Sequence, residues 1–199
     1  MKFKLVENIN ENLIFNEKDL EINLDKFENK ESNVLLITGF SGSGKSTLAN
    51  SLASKYNCTH YELDCLDFYL SGDMSIKDAI GNEDGLVAFI NKKNLKPGLN
   101  LNNNKLNELY REYIKFLINW CKKQKSKFII EGLQIYEVYE EGDTFITSCP
   151  IIIKGTSGIV SAIRAAKRNN GSFSKEFGPL IKWALKDNKE LNKLKNNIK

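Results

Sequence analysis

Three observations predict an α/β protein whose parallel sheet is covered by helices on both faces. Short apolar runs rich in β-branched residues and leucine, such as residues 34–38, are typical of strands buried on both faces. These runs alternate along the chain with segments that have the apolar spacing of helices. The chain has 199 residues, of which 41% are hydrophobic and 27% charged, as in an ordinary globular domain. We therefore expect one domain over residues 1–199.

Residues 1–33 precede the first buried strand as an N-terminal extension. Apolar and polar residues alternate over residues 20–25, which is compatible with a strand or with a loosely packed extension. The extension carries five lysines against eight acidic residues, a net charge of −3.

After the first strand, the spacing of apolar residues predicts further strands and helices in alternation. The predicted strands are residues 60–64, 128–131 and 151–154. The predicted helices are residues 45–56, 106–120, 158–168 and 179–198. Residues 70–104 are rich in glycine, asparagine and lysine, and we expect a mobile loop with short helical pieces that covers an acceptor.

The composition favours a cytoplasmic protein that does not enter membranes. The longest apolar runs are far too short to cross a bilayer, and residues 1–10 lack the apolar core of a secretion signal. The four cysteines are scattered and form no C-x-x-C pair, which is typical of a reducing compartment. The net charge of +4 is too small to indicate nucleic-acid binding by itself.

The strongest chemical signal follows the first buried strand, where residues 39–46 read GFSGSGKS. They fit G-x-x-x-x-G-K-[ST] at every fixed position, with a strand before them and a helix after them. The glycines let successive backbone N–H groups turn around a phosphate, and the helix N-terminus adds partial positive charge. The sequence therefore predicts a phosphate loop for a nucleoside triphosphate and the three-layer sandwich of a P-loop NTPase.

The residue types of this loop predict their roles. The Lys45 ammonium would reach the β- and γ-phosphates, and the Ser46 hydroxyl would bind Mg²⁺. The candidate nucleotide-binding residues are Gly39, Ser41, Gly42, Ser43, Gly44, Lys45, Ser46 and Thr47.

Carboxylates follow the next strands, at the sheet edge where ligands bind in open α/β sheets. We expect Asp64 to orient, or take a proton from, the hydroxyl of an acceptor. Asp67 is a candidate contact to substrate or to Mg²⁺-bound water, and the two aspartates compete for the role of base. Glu131 is a candidate for holding Mg²⁺ through water or for contacting substrate.

Arginine is rare in this chain, with three among 29 basic residues. Arg164 and Arg168 are four residues apart, so they share one face of a predicted helix. The planar guanidinium suits a phosphate clamp, and we expect these two arginines to be catalytic. We expect Arg111 to lie on a solvated helix face.

Taken together, these motifs resemble the P-loop nucleoside and nucleotide kinases, most closely the uridine kinase and phosphoribulokinase branch. The resemblance covers about residues 34–170 and rests on four features. They are the phosphate loop, Asp64 with Phe68-Tyr69 close behind it, Glu131-Gly132, and the helix that carries Arg164 and Arg168. It implies an ATP- and Mg²⁺-dependent kinase of a small molecule, with a nucleoside or nucleotide as the first candidate and the two arginines in a lid.

Two other functions stay open. One is a nucleotide-dependent switch or binding protein, although residues 91–94 (NKKN) lack the aspartate of a guanine-reading N-K-x-D motif. Such a protein could contact nucleic acid through residues 175–199, which carry seven lysines against three acidic residues. The other is a polynucleotide 5′-kinase, which would need a basic channel and would bind in a salt-dependent way.

Overall fold

The computed structural model describes residues 18–80, 84–140, 142–155 and 190–197. Within these ranges the strands are β1 (Leu20–Ile22), β2 (Val34–Thr38), β3 (Thr59–Glu62), β4 (Phe128–Glu131) and β5 (Ile151–Ile153). The helices are α1 (Leu24–Glu28), α2 (Lys45–Tyr56), α3 (Cys65–Ser71), α4 (Ile76–Ile80), α5 (Asp84–Lys93), α6 (Asn103–Lys122), α7 (Gln134–Glu137) and α8 (Thr144–Thr147). Residues 190–197 are also helical.

The described strands form one sheet in the order β1-β5-β2-β4-β3. The pairs β3–β4, β4–β2 and β2–β5 are parallel, as the sequence predicts. The prediction of a wholly parallel sheet is wrong at one edge, where β1 pairs antiparallel with β5 and Leu20 lies opposite Ile153. An antiparallel edge strand on a parallel sheet is common, and its direction has no local sequence signal because its partner is about 130 residues away.

Both faces of the sheet are covered, which confirms the predicted α/β architecture. Along β2, Val34 and Leu36 belong to one apolar cluster, whereas Leu35 and Ile37 belong to a second cluster on the opposite face. The first cluster contains buried residues of α3, α5, α6 and α7, and the second contains residues of α1 and α2. Alternate side chains of a strand point to opposite faces, so the continuous apolar run of β2 serves two layers of helices.

The described part of the N-terminal segment packs on the second cluster. The Phe27 side chain in α1 is fully buried, and its ring meets that of Tyr56 edge to face at 5.4 Å between centroids. Asn33 then joins the start of β2 to the end of α6, because its side-chain amide donates to the Cys121 carbonyl at 2.7 Å. Residues 18–33 therefore contribute to the core as well as to the sheet edge.

The described residues bear on two further predicted regions, and two predicted helices lie mostly outside them. Residues 70–104 contain α4 and α5, and α5 buries Leu86, Phe89 and Ile90 in the core. The predicted second strand, residues 60–64, begins one residue earlier and ends at Glu62. The predicted helix 158–168 and most of 179–198 lie outside the described residues.

The expectation for Arg111 is wrong. Its guanidinium pairs with Asp143 and Glu140 and donates to the Val138 carbonyl at 3.1 Å. Arg111 therefore links α6 to the segment before α8.

Across the described ranges, no helix combines the length and the apolar character needed to cross a membrane.

We expect Phe27→Ala to destabilise the whole domain. Removing a buried phenylalanine side chain costs about 3–5 kcal/mol, which corresponds to a fall in Tm of ~10 °C in a chain of this size. Thermal unfolding followed by circular dichroism measures it. Leu99→Ala is the control, because the Leu99 side chain is 40% exposed. Equal and small changes in Tm for both variants would show that α1 is dispensable.

Candidate nucleotide-binding site

The phosphate loop connects the end of β2 to the first turn of α2. Gly39 and Gly44 have φ angles of 143° and 91°, in the region that favours glycine. A Cβ atom on Gly39 would also lie 2.9 Å from the Lys154 carbonyl oxygen and 3.2 Å from Ser43 Oγ. Any side chain at position 39 would therefore push the loop away from β5.

Two contacts anchor this loop to the core. The Phe40 ring is buried and meets the ring of Tyr136 edge to face at 6.1 Å between centroids. At the end of β2, the Thr38 hydroxyl donates to the Gly132 carbonyl at 2.8 Å. These contacts hold the loop against the segment that follows β4.

Lys45 and Ser46 both contact Glu131, whose carboxylate is 3% exposed at the end of β4. The Lys45 ammonium donates to the Phe40 carbonyl at 3.1 Å and lies 3.7 Å from Glu131 Oε1. The Ser46 hydroxyl donates to Glu131 Oε2 at 3.2 Å. A buried carboxylate is costly unless it is paired, and these two residues pair it.

Glu62 is a site residue that the sequence analysis missed. It lies opposite Glu131 in the parallel pairing of β3 with β4 and contacts the Ser46 hydroxyl. Partial burial raises the pKa of Glu62, and the nearby charges of Glu131 and Asp64 raise it further. Its signal in the sequence was a glutamate inside the second predicted strand, residues 60–64, but only the strand register shows that it reaches Ser46.

The donor set fits a triphosphate with Mg²⁺. Ser43 Oγ, in the middle of the loop, is buried and has no hydrogen-bond partner among the described residues, so a phosphate oxygen would satisfy it. Mg²⁺ in such sites takes one or two carboxylates and keeps waters and phosphate oxygens as its other ligands. Ser46, Glu131 and Glu62 can supply the protein oxygens. The ranges described here contain no cluster of three or more His, Cys, Asp or Glu side chains suited to holding a metal on its own.

A second lysine, also missed by the sequence analysis, lies along the phosphate loop. Lys154 follows β5, and its backbone N–H donates to the Thr38 carbonyl at 2.7 Å. Its side chain passes Gly44 and donates to Asp19 Oδ2 at 2.7 Å, while Asp19 Oδ1 accepts from the Gly155 N–H at 2.8 Å. The segment before β1 thus contributes an acidic residue to the edge of the phosphate loop.

The two candidate aspartates lie together at the same sheet edge. Asp64 precedes α3, but its side chain does not cap this helix; it accepts from the Gln134 amide at 2.6 Å instead. Asp67 is in the first turn of α3 and contacts the Tyr110 hydroxyl; burial raises its pKa, and the charge of Asp64 adds to the rise. Burial likewise raises the pKa of Tyr110, with a further rise from Asp67. Asp64 and Asp67 line one cavity of about 310 Å³ between α3, α6 and α7.

The structure therefore brings most of the predicted site residues to one edge of the sheet. Ser41 and Gly42 lie in the loop between Phe40 and Ser43, and Thr47 is an exposed residue of the first turn of α2. Arg164 and Arg168 lie outside the described residues.

A phosphate loop between a buried strand and a helix, beside a carboxylate on the neighbouring strand, defines the P-loop NTPases as a class. The family model described as ABC transporter, which is a P-loop NTPase family, matches residues 22–146, more than half of the chain. The chain belongs to this family, and it is an ATP-binding P-loop NTPase. The match does not show the uridine kinase and phosphoribulokinase branch that the motifs resemble.

Comparisons with curated proteins and with solved structures give no further information on function. No curated protein matches the chain. A crystal structure of an uncharacterized protein from Eubacterium ventriosum is 16% identical, with a TM-score of 0.37, and the alignment covers 77% of this chain and 74% of that one.

We expect Lys45→Ala to weaken ATP binding without unfolding the domain. A hydrogen bond to a charged group contributes about 1.5–3 kcal/mol, which is ~10–100-fold in affinity. Calorimetric titration of the folded variant with ATP and Mg²⁺ measures it. Lys55→Ala is the matched control, because Lys55 is in the same helix with its side chain 62% exposed. Unchanged ATP affinity in folded Lys45→Ala would reject the site.

Proposed function

We propose that this protein is a kinase that transfers the γ-phosphoryl group of ATP to the hydroxyl of a small molecule. The observation that supports this proposal is the cavity lined by Asp64 and Asp67. It lies at the edge of the sheet that carries the phosphate loop, and Asp64 is close enough to Glu62 to raise the pKa of that residue. A kinase needs a place for its acceptor close to the phosphate loop, and this cavity is a candidate for that place.

The proposed reaction uses positioning and charge neutralisation more than covalent chemistry. The acceptor oxygen forms a bond to the γ-phosphorus while the bond from this phosphorus to the β,γ-bridging oxygen breaks. The bridging oxygen leaves with the electron pair on ADP, and the hydroxyl proton passes to the Asp64 carboxylate and then to water. The products are a phosphate monoester, ADP and a proton.

In this proposal Gln134 orients the base. Its amide donates to one oxygen of Asp64 at 2.6 Å, which leaves the other oxygen to accept the acceptor's proton. Lys45 would neutralise charge on the β- and γ-phosphates, and Ser46 and Glu131 would hold Mg²⁺. Mg²⁺ would supply further positive charge that offsets the negative charge of the phosphates.

The family match favours a second candidate, an ATPase that works as a nucleotide-dependent binding protein or switch. The ABC transporter family, to which the chain belongs, fits such a role. The two candidates differ in one measurement. A kinase releases ADP much faster when its acceptor is present, whereas ADP release by the second candidate does not depend on a hydroxyl compound that becomes phosphorylated.

We expect Asp64→Asn to lower phosphoryl transfer by ~10²–10⁴-fold, the usual effect of losing a positioned base. Asparagine keeps a side-chain oxygen that can accept from Gln134, so the local structure is preserved. Because Asp64 is not part of the phosphate loop, we expect the ATP affinity to stay nearly unchanged. Coupled assays of ADP and of phosphorylated acceptor, with calorimetry for ATP, separate the two effects. Asp73→Asn, at an exposed aspartate after α3, is the control. A larger loss in Asp67→Asn than in Asp64→Asn would assign the base to Asp67.

The proposed clamp of Arg164 and Arg168 has its own test. Arg→Lys at either position keeps the charge but loses the planar fork. If the fork binds the transferring phosphoryl group, we expect the transfer rate at saturating ATP to fall much more than the ATP affinity, since that pattern marks an interaction made in the transition state. Unchanged kinetics in both variants would remove the clamp from the proposal.

A further inference from the structure

The residues that line the cavity beside Asp64 indicate which chemical class of acceptor fits there. Its volume of about 310 Å³ is at the lower end of the ~300–1,000 Å³ range for small-molecule pockets, so it suits a compact ligand. Its walls come from α3, α6 and α7, and none of the phosphate-loop residues lines it. The side chains of these walls can therefore select an acceptor without changing the loop that binds ATP.

The walls of the cavity are acidic. Asp64, Asp67 and Glu137 all line it, and no described lining residue is lysine or arginine. Asp64 and Asp67 are close enough to raise the pKa of Asp67, so negative charge is concentrated at one end. Like charges placed together across an interface are unfavourable, so an acceptor that already carries a phosphate would be repelled here. A cationic acceptor would be attracted.

The Gln134 side chain is 4% exposed and fixes one of these carboxylates, because its amide donates to Asp64 at 2.6 Å. A further feature of the walls suits a cation. Phe68, at 47% exposure, also lines the cavity and offers an aromatic face. Ammonium groups bind to such faces through cation–π interactions.

We propose that the acceptor is a small organic cation that carries a hydroxyl group, of the amino alcohol or amino sugar class. Its hydroxyl faces Asp64, and its ammonium lies between Asp67 and the ring of Phe68. This inference rests on the proposed kinase function and narrows it, because it excludes nucleotides and polynucleotides as acceptors.

The test uses matched pairs of compounds that differ in charge. Choline is compared with its uncharged isostere 3,3-dimethylbutan-1-ol, glucosamine with glucose, and uridine with uridine 5′-monophosphate. The full chain is assayed with ATP and Mg²⁺ for acceptor-stimulated release of ADP and for the phosphorylated product. We expect a cationic member to be preferred over its neutral partner by tenfold or more in kcat/KM, and the nucleotide to be inactive.

Variants assign the preference to the cavity. We expect Asp67→Asn to lower kcat/KM for the cation by ~10–100-fold while changing it little for the neutral isostere, because an ion pair with a desolvated partner is lost. Asp73→Asn, at the exposed aspartate, should change neither.

The outcomes separate the two proposals. A neutral compound, a nucleotide or the 5′-hydroxyl of an oligonucleotide as the preferred acceptor would overturn the cationic class and leave the kinase intact. Absence of stimulation by every compound, in a protein that still binds ATP through Lys45, would count against the kinase and therefore against this inference as well.

Discussion

The site depends on the parallel pairing of β2 with β4. This pairing sets Ile37 opposite Glu131, so the two strands end within one residue of each other, and the hydrogen bond from Thr38 to the Gly132 carbonyl joins their ends. The phosphate loop leaves β2 at this edge and leads to Lys45 and Ser46, which both contact the Glu131 carboxylate. A shift of the register by one residue would turn the Glu131 side chain to the opposite face of the sheet. The contact between Ser46 and Glu131, and with it the candidate nucleotide site, therefore depends on the register of these two strands.

The same register concentrates negative charge at one edge. Glu131 is buried and paired with Lys45 and Ser46, and Glu62 on the next strand lies close enough for its pKa to rise. Carboxylates gathered in this way disfavour each other, so they lower the stability of the fold and favour the binding of a cation. Functional sites are where such perturbed groups collect. The arrangement is therefore easier to explain by ligand binding than by stability.

The sequence predicted the features that depend on neighbouring residues and missed those that depend on contacts between residues far apart in the chain. The bounds of β2, α2 and β4 and the position of the phosphate loop follow from short-range patterns of apolar residues and glycine. The antiparallel direction of β1, the approach of Glu62 to Ser46 and the ion pair of Asp19 with Lys154 join residues that are far apart in sequence. They depend on strand order and register, and no local pattern in a single chain encodes either.

The family assignment and the proposed acceptor concern different parts of the molecule. A phosphate loop on a parallel sheet binds a triphosphate whatever happens to it next, so membership of a P-loop family describes the nucleotide half of the site. The cavity that we propose for the acceptor lies between α3, α6 and α7, and the residues that distinguish it are Asp64, Asp67 and Gln134. These side chains make the cavity proposed for the acceptor acidic, whereas the phosphate loop offers backbone N–H groups and the Lys45 ammonium to a polyanion. The two substrates of the proposed reaction would therefore bind to different groups, and transfer between them requires that both are bound at once.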